Sequence, residues 1–276
     1  MKYRELEERL REVGIEEYRS EARIIFSSVG GFSSAELYLP DREIEDELLY
    51  PIIERRRMRE PLAYILGKAY FYNECYKVTP EVLIPRQDTE ILVDCAVKRI
   101  PERKRIIDLC TGSGCVGIST VKNTVGTTAT LVDISLGALD IARQNAELNG
   151  VSSRISTERI DLLSDFPSGK YFAVLSNPPY VTDSEYAELA DELYYEPKNA
   201  FLGGGDGLVF YRAIISRLGE ILEEDGFAAF EIGASQAEAV VKIAEEYGFS
   251  AEILKDFSGH DRVAALRFAA GDARHS

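Results

Sequence analysis

A chain of 276 residues, 45% apolar and 29% charged, has material for one large domain or two smaller ones with a sizeable core. A net charge of −15 repels a phosphate backbone on average, so generic nucleic-acid binding is not expected. Cys75, Cys95, Cys110 and Cys115 form no C-x-x-C pair, and with only His260 and His275 no metal site is expected. The amino terminus, MKYRELEERLREVG, is charged and amphipathic without a signal-peptide core, and no apolar run is long enough to span a bilayer, so a cytoplasmic protein is expected.

Residues 1 to about 66 read as helical. Apolar positions recur at helical spacing at Leu6, Leu10 and Val13, at Ile24, Ile25 and Phe26, and at Ile44, Leu48, Leu49, Ile52 and Ile53, punctuated by Pro40-Asp41 and Glu60-Pro61. The basic cluster Arg55, Arg56, Arg57 and Arg59 is expected on the solvated face of a helix that ends before Pro61. Residues 69–84, AYFYNECYKVTPEVLI, are aromatic and β-branched around Asn73-Glu74, which predicts a β-hairpin joining two domains. The expected division is a helical domain over 1–68, a hairpin linker over 69–84 and an α/β domain over 85–276.

Beyond Pro85 the period changes. A helix over roughly 88–99 opens with Arg86, Asp88, Thr89 and Glu90, which read as a capping network. Then follow RIIDLC, a glycine-rich turn and short helix, ATLVDIS, a helix over 136–149, RISTERI, YFAVLSN, FAAFEIG, a helix over 234–247, SAEILKDF and RVAALRF. Strands alternating with helices predict a seven-stranded, mostly parallel sheet covered on both faces. The last two strands are joined only by SGHD, which permits an antiparallel pair alone, so the final strand should run against the others.

Gly112, Gly114 and Gly117 in DLCTGSGCVG have the G-x-G-x-x-G spacing between a strand and a helix, and Asp133 ends the next strand. Such a turn admits a nucleotide-like ligand, and the second-strand acid can accept both ribose hydroxyls. This pattern alone also suits an NAD-dependent dehydrogenase. The acids favour S-adenosylmethionine: Asp108 would attract an ammonium and a sulfonium but sit badly beside a pyrophosphate, and Asp161 could reach an adenine amino group with Leu162 over the ring. Cys110, Thr111, Gly112, Ser113, Gly114, Asp133, Ile134, Asp161, Leu162 and Asn177 are the expected cofactor residues.

SNPPY, residues 176–180, ends the fourth strand and so opens onto the same crevice. Two prolines stop regular pairing and leave a stiff loop whose carbonyls lack local donors. Together with REPLAYILG (59–67), VLIPRQDTEILV (82–93), DLCTGSG (108–114), EPKNAFLGGGDGLVFYRAII (196–215), FEIGASQ (230–236) and DFSGHDRV (256–263), this loop makes the chain resemble the HemK/PrmC-type release factor glutamine methyltransferases over nearly its full length. Gln87 stands where that family usually has proline, and Cys110 where it usually has glycine.

The resemblance implies a class I methyltransferase fold, S-adenosylmethionine as donor with S-adenosylhomocysteine as product, and the glutamine of a Gly-Gly-Gln motif in class-1 release factors as target. A glutamine side-chain nitrogen is a poor nucleophile because its lone pair is delocalised into the carbonyl. The site must hold the NH2 by its hydrogens: Asn177 offers its side-chain oxygen and Pro178 its carbonyl, held rigid by Pro179, while Tyr180 packs on the flat amide. Glu196, Pro197 and the run Gly203–Gly207 are expected at the substrate mouth, with Glu196 contacting substrate. An adenine amino group presents the same two hydrogens, so an adenine-N6 methyltransferase is the alternative, disfavoured because no target-recognition region follows NPPY. The helical domain, with the arginine cluster among its candidates, is expected to dock the body of the release factor; a monomer without nucleic-acid or membrane contacts completes the expectation.

Overall fold

The computed structural model describes residues 1–270 except Ser34, Tyr38, Pro40 and Phe257, so the Pro40 break and His275 lie outside the described residues. The chain forms two units: Met1–Lys68 with Ala190–Tyr195, and Ala69–Leu189 with Glu196–Ser276. A short stretch of the chain beyond SNPPY thus belongs with the helical unit.

In that unit α1 (Tyr3–Glu12), α2 (Tyr18–Gly30), α3 (Asp46–Arg57) and α4 (Leu62–Leu66) pack around Leu6, Leu10, Ile25, Phe26 and Leu49, all fully buried. Ile24 and Leu48 face solvent instead. Arg56 departs from the solvated face expected of its cluster. It is 2% exposed, and its guanidinium donates to both carboxylate oxygens of Glu21 at 2.8 Å and to Glu192 at 2.9 Å. Burying a guanidinium is tolerable only when its donors are taken up in this way. Arg55 is paired with Glu60 and Arg57 with Glu54 at the surface.

The second unit begins with a hairpin, β1 (Lys68–Phe71) and β2 (Glu74–Lys77). Its turn is Tyr72-Asn73, both at positive φ, one residue earlier than the composition suggests. The strands end at Lys77, not Ile84. The hairpin is more than a linker: Tyr76 is buried with its hydroxyl 2.6 Å from Ser119 Oγ, and Asn145 Oδ1 accepts from the Lys77 N–H at 2.6 Å.

The main sheet has the order β5 (Ile155–Arg159), β4 (Thr128–Asp133), β3 (Arg105–Leu109), β6 (Tyr171–Ser176), β7 (Leu222–Glu231), β9 (Asp261–Phe268), β8 (Phe249–Lys255). All neighbours are parallel except β9, antiparallel to both β7 and β8, as the short final connection requires. Residues of β3 alternate between the two faces. Ile106 joins the core beneath α5 (Glu90–Arg99), α6 (Cys115–Lys122) and α7 (Leu136–Leu148), while Ile107 and Leu109 join the core with α9 (Val209–Ile221) and α10 (Ala237–Glu246). The central strands β3, β6 and β7 are therefore covered on both sides, while the edge strands β5 and β8 remain partly exposed.

This order fixes the position of the site. From β3 the chain builds outward through β4 and β5, then returns to place β6 on the other flank of β3. The switch point lies between β3 and β6, whose carboxyl ends are in register at Leu109 and Ser176 and tied by the Ser176 hydroxyl donating to the Leu109 carbonyl at 2.7 Å. In an open α/β sheet a crevice forms there.

Candidate active site

A cavity of about 270 Å³ opens at this switch point. From the expected set, Cys110, Gly112, Asp133, Ile134, Asp161, Leu162, Asn177 and Pro179 line it. A smaller adjoining cavity of about 40 Å³ shares Cys110, Gly112 and Asn177 and adds Asp108, Thr111 and Ser113. Gly114, Pro178, Tyr180 and Glu196 line neither.

The acids are positioned by strand ends and backbone donors. Asp133 ends β4, and its two oxygens each accept one main-chain N–H, from Gly112 and from Ser135, both at 2.9 Å. Each oxygen keeps a lone pair for a ligand hydroxyl. Burial raises its pKa, against the pull of these donors. Ser135 also caps α7 by accepting from Ala138 N–H at 3.2 Å, worth about 1 kcal/mol, which fixes the start of the helix beside the cavity. Asp108 is buried behind the glycine loop; one oxygen takes the Thr111 hydroxyl at 2.6 Å and the Gly117 N–H at 3.0 Å. Burial outweighs these bonds and pushes its pKa up to about 7. Asp161 stands two residues past β5, with Oδ1 accepting from Leu163 N–H at 3.0 Å. Cys110 lies at φ 57, in the left-handed region that favours glycine.

Behind SNPPY the glycine run acts as a support. Gly203 lies so close under the loop that a Cβ there would sit 2.8 Å from the Pro179 carbonyl oxygen and 2.8 Å from Tyr180 Cα. Val181 pairs with this segment through N–H to Phe201 O at 2.8 Å and its carbonyl to Gly203 N–H at 2.9 Å. The Gln236 side chain donates to the Tyr180 and Gly207 carbonyls at 3.1 and 3.3 Å. The Gly203–Gly207 run therefore backs the loop and does not border the cavity, contrary to expectation.

Within this frame Asn177 Nδ2 donates to Thr89 Oγ1 at 3.3 Å. Its Oδ1 and the Pro178 carbonyl accept no hydrogen bond among the described residues. Tyr180 is largely buried, its hydroxyl 3.5 Å from Glu231 Oε1, and desolvation with this carboxylate raises its pKa.

Glu196 is buried: it accepts the Ile84 N–H at 2.9 Å and pairs with Arg86. Its carboxylate secures the lip formed by Pro197, Asn199 and Ala200, which do line the cavity. The capping network expected at α5 is absent. Arg86 goes to Glu196, Asp88 to Arg262, Thr89 to Asn177 and Glu90 to the Tyr72 N–H, and no side-chain cap bond is made there. Leu83, Ile160, Asn199 and Phe210 also line the cavity outside the expected set; Leu83, Asn199 and Phe210 lie within the stretches 82–93 and 196–215, whereas Ile160 carried no such local signal.

Comparison with known proteins settles the family. Residues 86–224 match the methyltransferase small domain and residues 3–67 the PrmC N-terminal domain. Over 256 residues the chain is 40% identical to the release factor glutamine methyltransferase of Thermodesulfovibrio yellowstonii, covering 90% of this chain and 91% of that one. The chain belongs to the release factor glutamine methyltransferase family. The relative of that name from Geobacter sulfurreducens is 35% identical over 264 residues, covering 94% of this chain and 92% of its own. The crystal structure of ribosomal protein L11 methylase from Lactobacillus delbrueckii subsp. bulgaricus is similar in fold alone, with a TM-score of 0.51 at 23% identity over 70% of this chain and 84% of that one. Family membership favours the methyltransferase reading over the dehydrogenase and adenine alternatives. Among the described residues, no cluster of His, Cys, Asp and Glu is arranged to hold a metal, and no helix is long and apolar enough to cross a membrane.

Proposed function

We propose that the protein transfers a methyl group from S-adenosylmethionine to the side-chain amide nitrogen of the glutamine in the Gly-Gly-Gln motif of class-1 release factors, leaving S-adenosylhomocysteine, in the cytoplasm and as a monomer. The observation that carries this reading is the pair of free acceptors at the switch point, Asn177 Oδ1 and the Pro178 carbonyl, set beside a cavity lined by acids and apolar side chains.

The cavity residues fit the donor. Asp133 has acceptor capacity for the two ribose hydroxyls, Ile134 and Leu162 offer apolar surface to a flat ring, Asp161 can accept from its amino group, and Asp108 with Thr111 and Ser113 faces the end where an ammonium belongs. When bound, S-adenosylmethionine supplies an electrophilic methyl on a sulfonium. The chain's own residues then have one task, to present the target nitrogen. Asn177 Oδ1 and the Pro178 carbonyl take its two hydrogens and turn its face towards the methyl; Pro179 keeps that carbonyl rigid and Tyr180 sets the tilt of the amide plane. Positioning and desolvation supply most of the acceleration, and no carboxylate need act as base.

The helical unit is proposed to dock the body of the release factor, because a short flexible tripeptide offers little surface for discrimination. Arg56 is committed to Glu21 and Glu192, so Arg55, Arg57 and Arg59 are the members of the cluster left for such a surface. Titration with S-adenosylmethionine and with NAD, followed by methylation of a release factor, tests the reading; tight NAD binding with none of the methyl donor would overturn it.

A further inference from the structure

The glycine loop assigned to the methyl donor is held from behind as well as from the cavity side. Ser113 lies between Gly112 and Gly114, both at positive φ, where the backbone is least constrained by its own sterics. The Ser113 carbonyl precedes α6 and takes no part in that helix, because the Gly117 N–H that would reach it goes to Asp108. It accepts instead from Asn145 Nδ2 at 2.9 Å, and among the described residues from nothing else. Asn145 sits on α7, is fully buried and lines neither cavity.

The same side chain is fastened to the hairpin. Its Oδ1 accepts the Lys77 N–H at 2.6 Å, and Nδ2 also donates to the Lys77 carbonyl at 3.0 Å. Both amide hydrogens are thus used, and a flipped amide would set oxygen against two carbonyls and NH2 against an N–H. Asparagine is a poorer helix former than alanine, so its place in the middle of α7 calls for a reason outside the helix. One turn on, Asn149 Nδ2 donates to the Cys75 carbonyl at 3.0 Å, and among the described residues Asn149 makes no bond to the loop. Cys75 and Lys77 form the outer edge of β2, which these two asparagines close in place of a third strand.

We propose that Asn145 is a positioning residue for the methyl donor: it ties the Ser113 carbonyl to the edge of β2 and so holds the glycine loop in the conformation that accepts the ligand. The inference rests on that loop being the donor site. Released at Ser113, a loop with two permissive glycines occupies the competent conformation only part of the time, and apparent affinity falls by that fraction. A competent fraction of about one tenth makes binding about tenfold weaker. Asn177 and Pro178 follow β6 and keep their own supports, so the rate at saturating donor should survive.

Asn145→Ala and the near-isosteric Asn145→Leu test it, the second removing the hydrogen bonds without opening a cavity. Asn149→Ala is the control, because it loosens the same hairpin edge and leaves the loop alone. Calorimetric titration with S-adenosylhomocysteine should show binding weakened about tenfold or more in both Asn145 variants and changed by less than about twofold in Asn149→Ala. Single-turnover methylation of a release factor at saturating S-adenosylmethionine should stay within about threefold of wild type in all three. Without ligand, amide hydrogen exchange at Gly112 and Gly114 should quicken by about tenfold or more in the Asn145 variants only. Equal loss of affinity in Asn149→Ala, or unaltered exchange in the loop, would overturn the proposal. Failure of both Asn145 variants to fold would overturn it too, by making Asn145 a determinant of the fold alone. If wild type binds no S-adenosylhomocysteine, the donor assignment falls and the proposal with it; if wild type binds and the Asn145 variants bind as well, the positioning role falls while the donor assignment stands.

Discussion

Gly203→Ala is the most informative single substitution, because it touches the reacting loop from behind without entering the cavity. A Cβ at this position would sit 2.8 Å from the Pro179 carbonyl oxygen, 2.8 Å from Tyr180 Cα and 2.9 Å from the Gly207 carbonyl oxygen. All three are backbone atoms and cannot swing aside as a side-chain tip would. Restoring an ordinary contact distance moves the loop by roughly 0.6 Å, at a cost of about 1–3 kcal/mol in stability. A misplacement of about 1 Å can cost a reaction on the order of a hundredfold, so a fall of about ten- to a hundredfold in methyl transfer is expected. Donor affinity, read by calorimetric titration, should stay within about twofold because Asp133, Ile134 and Leu162 are on other elements. Gly205→Ala is the control, since nothing lies within 4 Å of a Cβ there. Full activity in Gly203→Ala, or loss of donor binding in proportion to rate, would refute the view that the glycine run exists to seat SNPPY.

Asn177→Ala should reduce methyl transfer on the order of a hundredfold while leaving donor affinity nearly unchanged, measured by rapid quench and calorimetry; abolished donor binding would move Asn177 to the cofactor site. With its pKa raised to about 7 by burial, Asp108 should be drawn into the ionised form by a cationic donor, so affinity should strengthen as pH rises through neutrality, and Asp108→Asn should bind more weakly with a flat profile. Both Asp108 and Glu231 hold a proton in the folded state that an ordinary carboxyl at 3.8 or 4.5 has already lost, so their contribution to stability declines as pH rises from about 4 to 7. For Glu231 the shift from 4.5 to about 7 corresponds to about 3 kcal/mol, so Glu231→Gln should be less sensitive than wild type in thermal melts between about pH 4.5 and 7. A chain beginning at Ala69 should lose most of the preference for a whole release factor over a Gly-Gly-Gln peptide while keeping slow peptide activity; an undiminished preference would remove the docking role.

Much of the fold was legible because periodicity reports burial. The β/α alternation, the antiparallel final strand and the three acids near the strand ends follow from spacing alone, since a short connection or a strand terminus leaves few geometric choices. What escaped the sequence lies in tertiary destinations. Arg86, Asp88, Thr89 and Glu90 have the composition of a helix cap, yet each side chain finds its partner elsewhere: Glu196 and Asn177 are about a hundred positions away in the chain, Arg262 more distant still. Arg56 looks like its exposed neighbours but sits on the inner face of α3, where Glu21 and Glu192 satisfy it. The glycine run shows the same limit: its sequence marks a loop, but only the approach of the SNPPY backbone explains why side chains are missing there.

The central claim is that the two free acceptors of SNPPY hold a glutamine amide for methylation. The most direct measurement is incubation of the full chain with S-adenosylmethionine and a whole class-1 release factor, followed by fragmentation mass spectrometry of the Gly-Gly-Gln peptide. The account predicts a mass gain of one methylene confined to the glutamine side chain, lost in Asn177→Ala. Methylation at another residue of the factor, or an unmodified factor alongside methylated adenine in a nucleic-acid control, would contradict it.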